Sequence, residues 1–170
     1  MSNDETLAPF DQTEILASIS ASAPRRWLAV CAMYFLGALL LYIALSQPAD
    51  FVWKLFLLGV GAASLWLGEA MRKATLRKIH LTPEGLFDTE GEVIARLESI
   101  QNVDRGVFAF KPSNGFLIRT KTAQGQRRWL PGLWWRVGRQ IGVGGVTPGA
   151  QTKFLTEILS GMIAERDGEI

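Results

Sequence analysis

Residues 27–45 read WLAVCAMYFLGALLLYIAL, nineteen consecutive residues without a charged side chain. A helix of that length rises about 28 Å, close to the roughly 30 Å hydrocarbon core of a bilayer. A buried core helix of this composition needs protein on every side, which a chain of 170 residues with a second apolar stretch beside the first does not supply. The sequence therefore predicts a transmembrane helix over about 27–45.

The second apolar stretch covers about residues 51–71 and holds charged residues only near its ends. Lys54 can extend toward the lipid headgroups, and Glu69 lies four residues before Lys73, the spacing of an ion pair on one helix face. The connection between the two stretches, SQPAD, is short and holds the proline and aspartate of a turn. We therefore expect an antiparallel two-helix hairpin over 25–73.

Two pairs of small residues four apart mark the second stretch, Gly59 with Ala63 and Ser64 with Gly68. Such pairs let helix backbones approach closely. They are compatible with packing inside the hairpin and with packing between subunits.

Basic residues flank the open end of the hairpin and do not occur in its connection. They are Arg25, Arg26, Arg72, Lys73, Arg77 and Lys78. Because the cytoplasmic loops of membrane proteins carry an excess of Lys and Arg, both termini are expected in the cytoplasm.

Residues 1–24 are polar and acidic, and we expect them to form a mostly flexible leader. The leader holds one helical pattern. Asp11 and Glu14 have capping-box spacing, and an apolar face follows that consists of Ile15, Leu16 and Ile19. This pattern favours a short interfacial helix before the hairpin.

From residue 75 onward the sequence changes to short apolar–polar alternation interrupted by turn residues, which predicts about seven antiparallel strands. The predicted strands cover residues 76–82, 86–88, 92–97, 100–110, 116–122, 126–130 and 138–144. An amphipathic helix over about 148–165 follows, with proline at its first position. We expect a cytoplasmic, mainly-β domain over 75–166, a barrel or sandwich whose open end is capped by this helix.

This order of elements resembles that of small bacterial membrane proteins in which a pleckstrin-homology-like (PH-like) domain follows a transmembrane hairpin. The stretch IHLTPEGLFD at residues 79–88 looks like the opening strand, turn and strand of such a domain. The resemblance covers roughly residues 25–165. It implies a location in the bacterial inner membrane and a binding scaffold whose ligands differ from case to case. No lipid-binding residue is carried over, because residues 129–145 match no ligand motif of that superfamily.

Few residues offer catalytic chemistry. The chain has one cysteine, Cys31, and one histidine, His80, which excludes zinc sites built from Cys and His, and disulfides, within a single chain. Alternation with two apolar neighbours predicts that His80 faces solvent. Three carboxylates are spaced by two around a glycine turn and are interpreted as a solvated hairpin tip, since a full calcium loop is missing: Asp88, Glu90 and Glu92.

Glycines cluster over residues 138–145 without the Gly-Lys-Ser/Thr of a phosphate-binding loop. We therefore predict no catalytic residue, no metal and no cofactor, and a protein that is not an enzyme.

Charge is strongly segregated in the β-rich domain. Residues 84–104 carry six acids and one base, whereas residues 105–156 carry nine bases and no acid. The densest basic stretch is RRWLPGLWWRVGR, residues 127–139. Its arginines and tryptophans form the predicted lipid- or partner-binding segment: Arg127, Arg128, Trp129, Trp134, Trp135, Arg136 and Arg139.

The leading interpretation is a non-enzymatic, membrane-tethered interaction or regulatory module with a membrane protein partner or self-association. One alternative is that the basic aromatic segment lies on the cytoplasmic leaflet and recognises anionic lipid headgroups. Another is an accessory subunit of a membrane enzyme or transporter. In the structural alternative, the tryptophans are core and the arginines a solvated face. Nucleic acid is disfavoured by the tether and by a net charge of only +2.

Overall fold

The computed structural model describes residues 15–48, 50–105 and 112–168. Its first large feature is a hairpin of two helices, α1 (Ala23–Ser46) and α2 (Phe51–Ala74). Each helix is long and apolar enough to span a membrane, and only 17% of each apolar window is buried inside the protein. The helices therefore differ from the buried core helix of a soluble domain, and the prediction of two apolar helices before a mostly-β domain is confirmed.

Glycines allow the two helices to approach closely. A Cβ atom on Gly37 would lie 2.6 Å from Leu65 Cδ2 and 3.0 Å from the carbonyl oxygen of Gly61. Gly68 lies under Tyr34, where an added Cβ would come within 3.3 Å of the ring. A larger side chain at either glycine would force the helices apart.

Polar contacts join the hairpin near its open end. Ser64 Oγ donates to the Met33 carbonyl at 2.9 Å, and Tyr34 Oη donates to Glu69 at 2.8 Å. The predicted ion pair between Glu69 and Lys73 is present at 3.5 Å, with Arg72 closer at 2.7 Å.

The two pairs of small residues on α2 that the sequence analysis noted have different surroundings. Ser64 and Gly68 face α1, inside the hairpin. A Cβ added to Gly59 would have no neighbouring atom within 4 Å, and Ala63 is exposed, so this pair does not face α1.

The rest of the described chain forms two antiparallel sheets and a helix. The first sheet has the strand order β1-β2-β3-β4, with β1 (Ala17–Ser20), β2 (Lys78–Thr82), β3 (Gly85–Asp88) and β4 (Val93–Arg96). The second has the order β5-β6-β9-β8-β7, with β5 (Ile100–Asp104), β6 (Phe116–Thr120), β7 (Arg128–Leu130), β8 (Trp134–Val137) and β9 (Gln140–Val143). A short 3-10 turn, Leu97–Ser99, joins the sheets, and α3 (Gly149–Asp167) follows β9.

The described strands number nine rather than the predicted seven, and the sheets do not close into a barrel. Each predicted strand has a counterpart, although residues 106–110 of the predicted strand 100–110 lie outside the described residues. The two strands that the sequence did not predict are β1 and β8. The sequence does not predict β8, because two adjacent tryptophans, Trp134 and Trp135, show no apolar–polar alternation. In the structure one ring is buried and the other is half-buried.

The interfacial helix predicted in the leader is wrong for the residues that the structure describes. Ile19 lies in β1, fully buried, and Leu16 precedes this strand with its N–H donating to Leu81. Asp11 and Glu14, the predicted capping pair, lie outside the described residues.

Helix α3 packs on one side of the domain through Leu155 and Leu159, both fully buried in the common core. Near its end, the Arg166 guanidinium donates to the carbonyls of Leu97 and Ile100, which ties the helix to the connection between the sheets. The helix begins after Pro148, so that proline is the cap rather than the first helical residue.

The domain is fixed to the open end of the hairpin. β1 leads into α1 and β2 follows α2, and the two strands are hydrogen-bonded neighbours with Ile19 opposite Ile79. The Ser22 N–H also donates to Val146 at 2.9 Å, and an added Cβ on Gly132 would lie 2.8 Å from Met71 Cε on α2. The position of the domain relative to the helices is therefore set by backbone pairing.

Shortening the buried side chain of β1 tests its place in the core. We expect Ile19→Ala to lower the free energy of unfolding by roughly 2–5 kcal/mol, because a fully buried apolar side chain is lost and a cavity is left. Thermal unfolding of the purified full chain in detergent measures the change. The control, Leu16→Ala, removes a more exposed side chain and should cost about 1 kcal/mol or less. Equal effects would contradict the strand.

Candidate functional site

Strand alternation divides the predicted basic aromatic segment between two faces of the second sheet. β7 and β8 pair with Arg128 opposite Arg136, Trp129 opposite Trp135, and Leu130 opposite Trp134. Successive strand residues point to opposite faces. Leu130, Trp134 and Arg136 are accordingly buried, whereas the Trp129 and Trp135 pair lies on the outer face.

Arg136 joins the two sheets from inside the domain. Its Nη1 donates to the Val93 carbonyl of β4 at 2.8 Å, its Nε donates to the Gln126 carbonyl at 3.1 Å, and its Nη2 pairs with Glu92 at 3.2 Å. The guanidinium also lies 5.5 Å from the centre of the Trp134 ring. Only 7% of the side chain is exposed, so Arg136 holds the structure together and does not offer its charge to a ligand.

Glu92 connects the acidic and basic parts of the sequence. It accepts from Arg128 Nε at 2.9 Å as well as from Arg136. The hydrogen bond from Arg128 to the Glu92 carboxylate raises the pKa of the Arg128 guanidinium. Part of the charge segregation seen in the sequence is thus neutralised by pairing within the domain.

The three carboxylates predicted to form a solvated tip are all bonded to arginine. Asp88 is buried, and its Oδ1 accepts the backbone N–H groups of Glu90 and Glu92 at 2.9 Å each. Arg77 donates to Asp88 at 2.9 Å and pairs with Glu90 at 2.7 Å. Asp88 is therefore the organising residue of the turn and not a solvated group. Across the described residues, no group of three or more His, Cys, Asp or Glu side chains is arranged to hold a metal ion.

His80 is half-buried between two fully buried neighbours, Ile79 and Leu81. Its burial, together with the Lys78 ammonium, lowers the pKa of the imidazole. The ring is thus less solvated than the alternation pattern predicted.

A cleft of about 510 Å³ lies where α2 meets the domain. We call it the junction cleft. Its lining combines cationic, acidic and apolar side chains, among them Lys73, Leu76, Arg77, Glu90, Arg128 and Trp129. Arg77 and Arg128 are held by carboxylates, whereas Lys73 is largely exposed and only loosely paired with Glu69. The exposed rings and chains of Trp129 and Leu76 supply apolar walls, so the cleft can hold a ligand with both an apolar part and a charged group.

The junction cleft unites residues far apart in the sequence. Arg128 and Trp129 belong to the predicted basic aromatic segment. Lys73 and Arg77 were predicted as basic flanks of the hairpin, and Leu76 was predicted as the first residue of the strand 76–82. No linear pattern joins these two groups, because only the packing of the turn at Gly132 on α2 brings them together.

The remaining predicted residues lie elsewhere. Trp135 lies over Gly142, where an added Cβ would clash with the indole. Arg139 donates to the Thr120 carbonyl at 3.0 Å, and Arg127 is exposed just before β7. The seven predicted residues therefore do not form one surface.

No protein-family profile, curated protein or solved structure matches this chain. Fold and site thus define its class without a relative: an apolar two-helix hairpin carrying a β-rich domain on its open end, with a mixed apolar and charged cleft at the junction.

Removing the charge of Glu92 tests the link between the sheets. We expect Glu92→Gln to lower the free energy of unfolding by about 1.5–3 kcal/mol, because it weakens bonds to two guanidinium groups, one of them buried. Chemical denaturation of the full chain in detergent measures this. Glu90→Gln is the matched control and should cost less than about 1 kcal/mol, since Glu90 is a mainly exposed partner. A larger effect of the control would contradict the assigned role.

Proposed function

We propose that this chain is a membrane-anchored, non-enzymatic interaction or regulatory module that binds a membrane protein partner at the junction cleft. The observation that carries the proposal is the pairing of β1 with β2, because it places both ends of the hairpin in one sheet. The cleft is then held at a fixed distance from the ends of the two apolar helices. A module held in this way suits recognition of a partner in the same membrane.

The exposed surface of the hairpin supports insertion of both helices in the cell (inner) membrane. Large apolar side chains point away from the protein along both helices, including Leu28, Phe35, Tyr42, Phe51, Trp53 and Phe56. Contiguous apolar surface of this kind needs a cover, and lipid chains supply it on all sides. The basic flanks at the open end favour cytoplasmic termini.

We further propose that the β-rich domain is PH-like. Two packed antiparallel sheets with a C-terminal helix on the shared core support this assignment. The chain departs from the expected pattern in its first strand, which precedes the hairpin, and in a second sheet of five strands.

The ion pairs of the three carboxylates in the turn after β3 support a binding function over a catalytic one. Asp88, Glu90 and Glu92 are each bonded to an arginine. A general acid or base must instead be positioned to exchange a proton with a substrate.

A second candidate function is recognition of an anionic lipid headgroup in the junction cleft. The nearness of Lys73 and Trp129 to the end of α2 favours it, because tryptophan prefers the membrane interface and each nearby basic residue contributes about 1 kcal/mol. The cleft's other bases, Arg77 and Arg128, are already countered by carboxylates. This reduces the net attraction for lipid and leaves a protein partner as the first candidate.

Cysteine labelling tests the topology. Cys31 is the only cysteine, so Cys31→Ser provides a clean background for Gln47→Cys in the connection and Ser160→Cys on α3, both exposed positions. In spheroplasts, an impermeant maleimide should label the first variant, and the second only after lysis. The chain should also stay in the membrane pellet after alkaline carbonate treatment. Labelling of both variants from the same side would contradict the hairpin topology.

Removal of the exposed tryptophan tests binding at the cleft. Trp129→Ala should release a stoichiometric protein from the full chain purified in mild detergent, because it removes an apolar wall of the cleft. Phe154→Ala is the matched control, since Phe154 on α3 is equally exposed, at 58% against 56%, and does not line the cleft. Loss of bound anionic lipid in place of a protein would favour the second candidate. A chain that purifies alone and lipid-free in all variants would contradict both.

A further inference from the structure

The outer face of the second sheet holds another hollow, at the end of the strands far from the hairpin. The end of the strands near the hairpin is at Trp134, which pairs with Val143. Gly132, two residues earlier, packs near Met71 of α2. β8 runs from Trp134 to Val137, about 10 Å along the sheet at 3.3 Å per residue. At this far end lies a hollow of about 270 Å³, lined by Gln101, Arg119, Thr120, Arg139 and Gln140.

A β-bulge shapes one wall of the hollow. Ile100 pairs with Thr120 and Asn102 pairs with Arg119, so Gln101 is an extra residue on β5. The bulge breaks the alternation, and Gln101 and Asn102 are both exposed as a result. Bulges of this type redirect side chains and are frequent beside functional sites.

The guanidinium of Arg139 is held in place on the rim. Its Nε donates to the Thr120 carbonyl at 3.0 Å, and its Nη2 donates to Gln101 Oε1 at 3.4 Å. The backbone of Arg139 is fixed as well, because its carbonyl accepts the Thr120 N–H at 2.9 Å. These bonds use two of the five guanidinium N–H groups and leave the others for a ligand.

Arg119 adds a second guanidinium on the neighbouring strand β6, with Gln140 directly opposite on β9. No carboxylate lines the hollow, and residues 105–156 contain none. Arg77, Arg128 and Arg136 each pair with a carboxylate. Within the described residues, Arg119 and Arg139 form no such ion pair, so their charge is available for an outside anion.

We propose that this hollow binds a phosphate-type oxyanion presented from the aqueous side. Two guanidinium groups offer the paired N–H donors that match phosphate oxygens, and the amide groups of Gln101 and Gln140 can add further donors. The hollow is large enough for one phosphoryl group, while the rest of the ligand would remain outside. Its position at the end of the strands far from α2 favours a ligand from the aqueous side over the lipids around the hairpin.

This inference goes beyond the proposed function, because it adds to the interaction module a second binding site that is separate from the junction cleft. The anion hollow and the junction cleft use different residues. A failure at one therefore leaves the other standing, and the two tests have separate readouts.

Thermal unfolding in phosphate tests the site. The full chain is placed in nanodiscs of neutral phosphatidylcholine, and its tryptophan fluorescence is followed on heating in sodium phosphate and in sodium chloride of matched ionic strength. A ligand that binds the folded state raises the unfolding temperature in proportion to the logarithm of its concentration. We expect such a rise with phosphate. Its absence in the unmodified chain would overturn the proposal.

Arg119→Gln is the decisive variant, because Arg119 lines the hollow and its side chain is exposed, so the exchange removes the charge without disturbing the core. We expect it to weaken the apparent phosphate affinity by about tenfold to a hundredfold. Lys153→Gln removes the same charge on α3 and should leave the affinity unchanged. Equal affinity of Arg119→Gln and the unmodified chain would overturn the assignment.

A second arm distinguishes the source of the phosphate group. Nanodiscs that contain anionic phosphatidylglycerol replace the neutral ones, and phosphate is omitted. We expect Arg119→Gln and Lys153→Gln to respond equally to this lipid, because the hollow lies at the end of the strands far from the hairpin. A lipid-induced stabilisation that depends on Arg119 would overturn the aqueous source.

Discussion

The pairing of β1 with β2 is the interaction on which the rest of the structure depends. One strand precedes the hairpin and the other follows it, so their hydrogen bonds close the chain around the two apolar helices. This closure puts Ile19 into the core, and the turn at Gly132 packs near Met71 of α2, beside the junction cleft. A domain joined to α2 alone would lack this second backbone attachment to the hairpin.

Charge has two different uses in the domain. Arg128 and Arg136 are bound by Glu92, and Arg77 is bound by Asp88 and Glu90, so these charges stabilise the contact between the sheets and the turn beside it. Pairs of this kind lower the net field of the domain. Arg119 and Arg139 line the hollow of the second sheet instead, and neither forms an ion pair with a carboxylate of the described residues.

The hairpin and seven strands could be predicted because their determinants are local: helix length against bilayer thickness, and alternation between turn residues. β1 could not, since the four residues ASIS become a strand only through a partner far along the chain. Within the candidate site, Arg128 and Trp129 were visible as part of a basic aromatic run, but their opposite orientations depend on register with β8. The partners Lys73 and Leu76 come from another element and carry no local pattern.

The order in which β1 and β2 are synthesised has a consequence for biogenesis. The first strand leaves the ribosome before either apolar helix, and its partner follows only after both. In the proposed topology, a chain with a single inserted helix would leave the two strands on opposite sides of the bilayer. Under that topology, completion of the sheet would report correct insertion, and a misinserted chain would expose an unpaired strand edge, the kind of surface that quality-control proteases and chaperones bind.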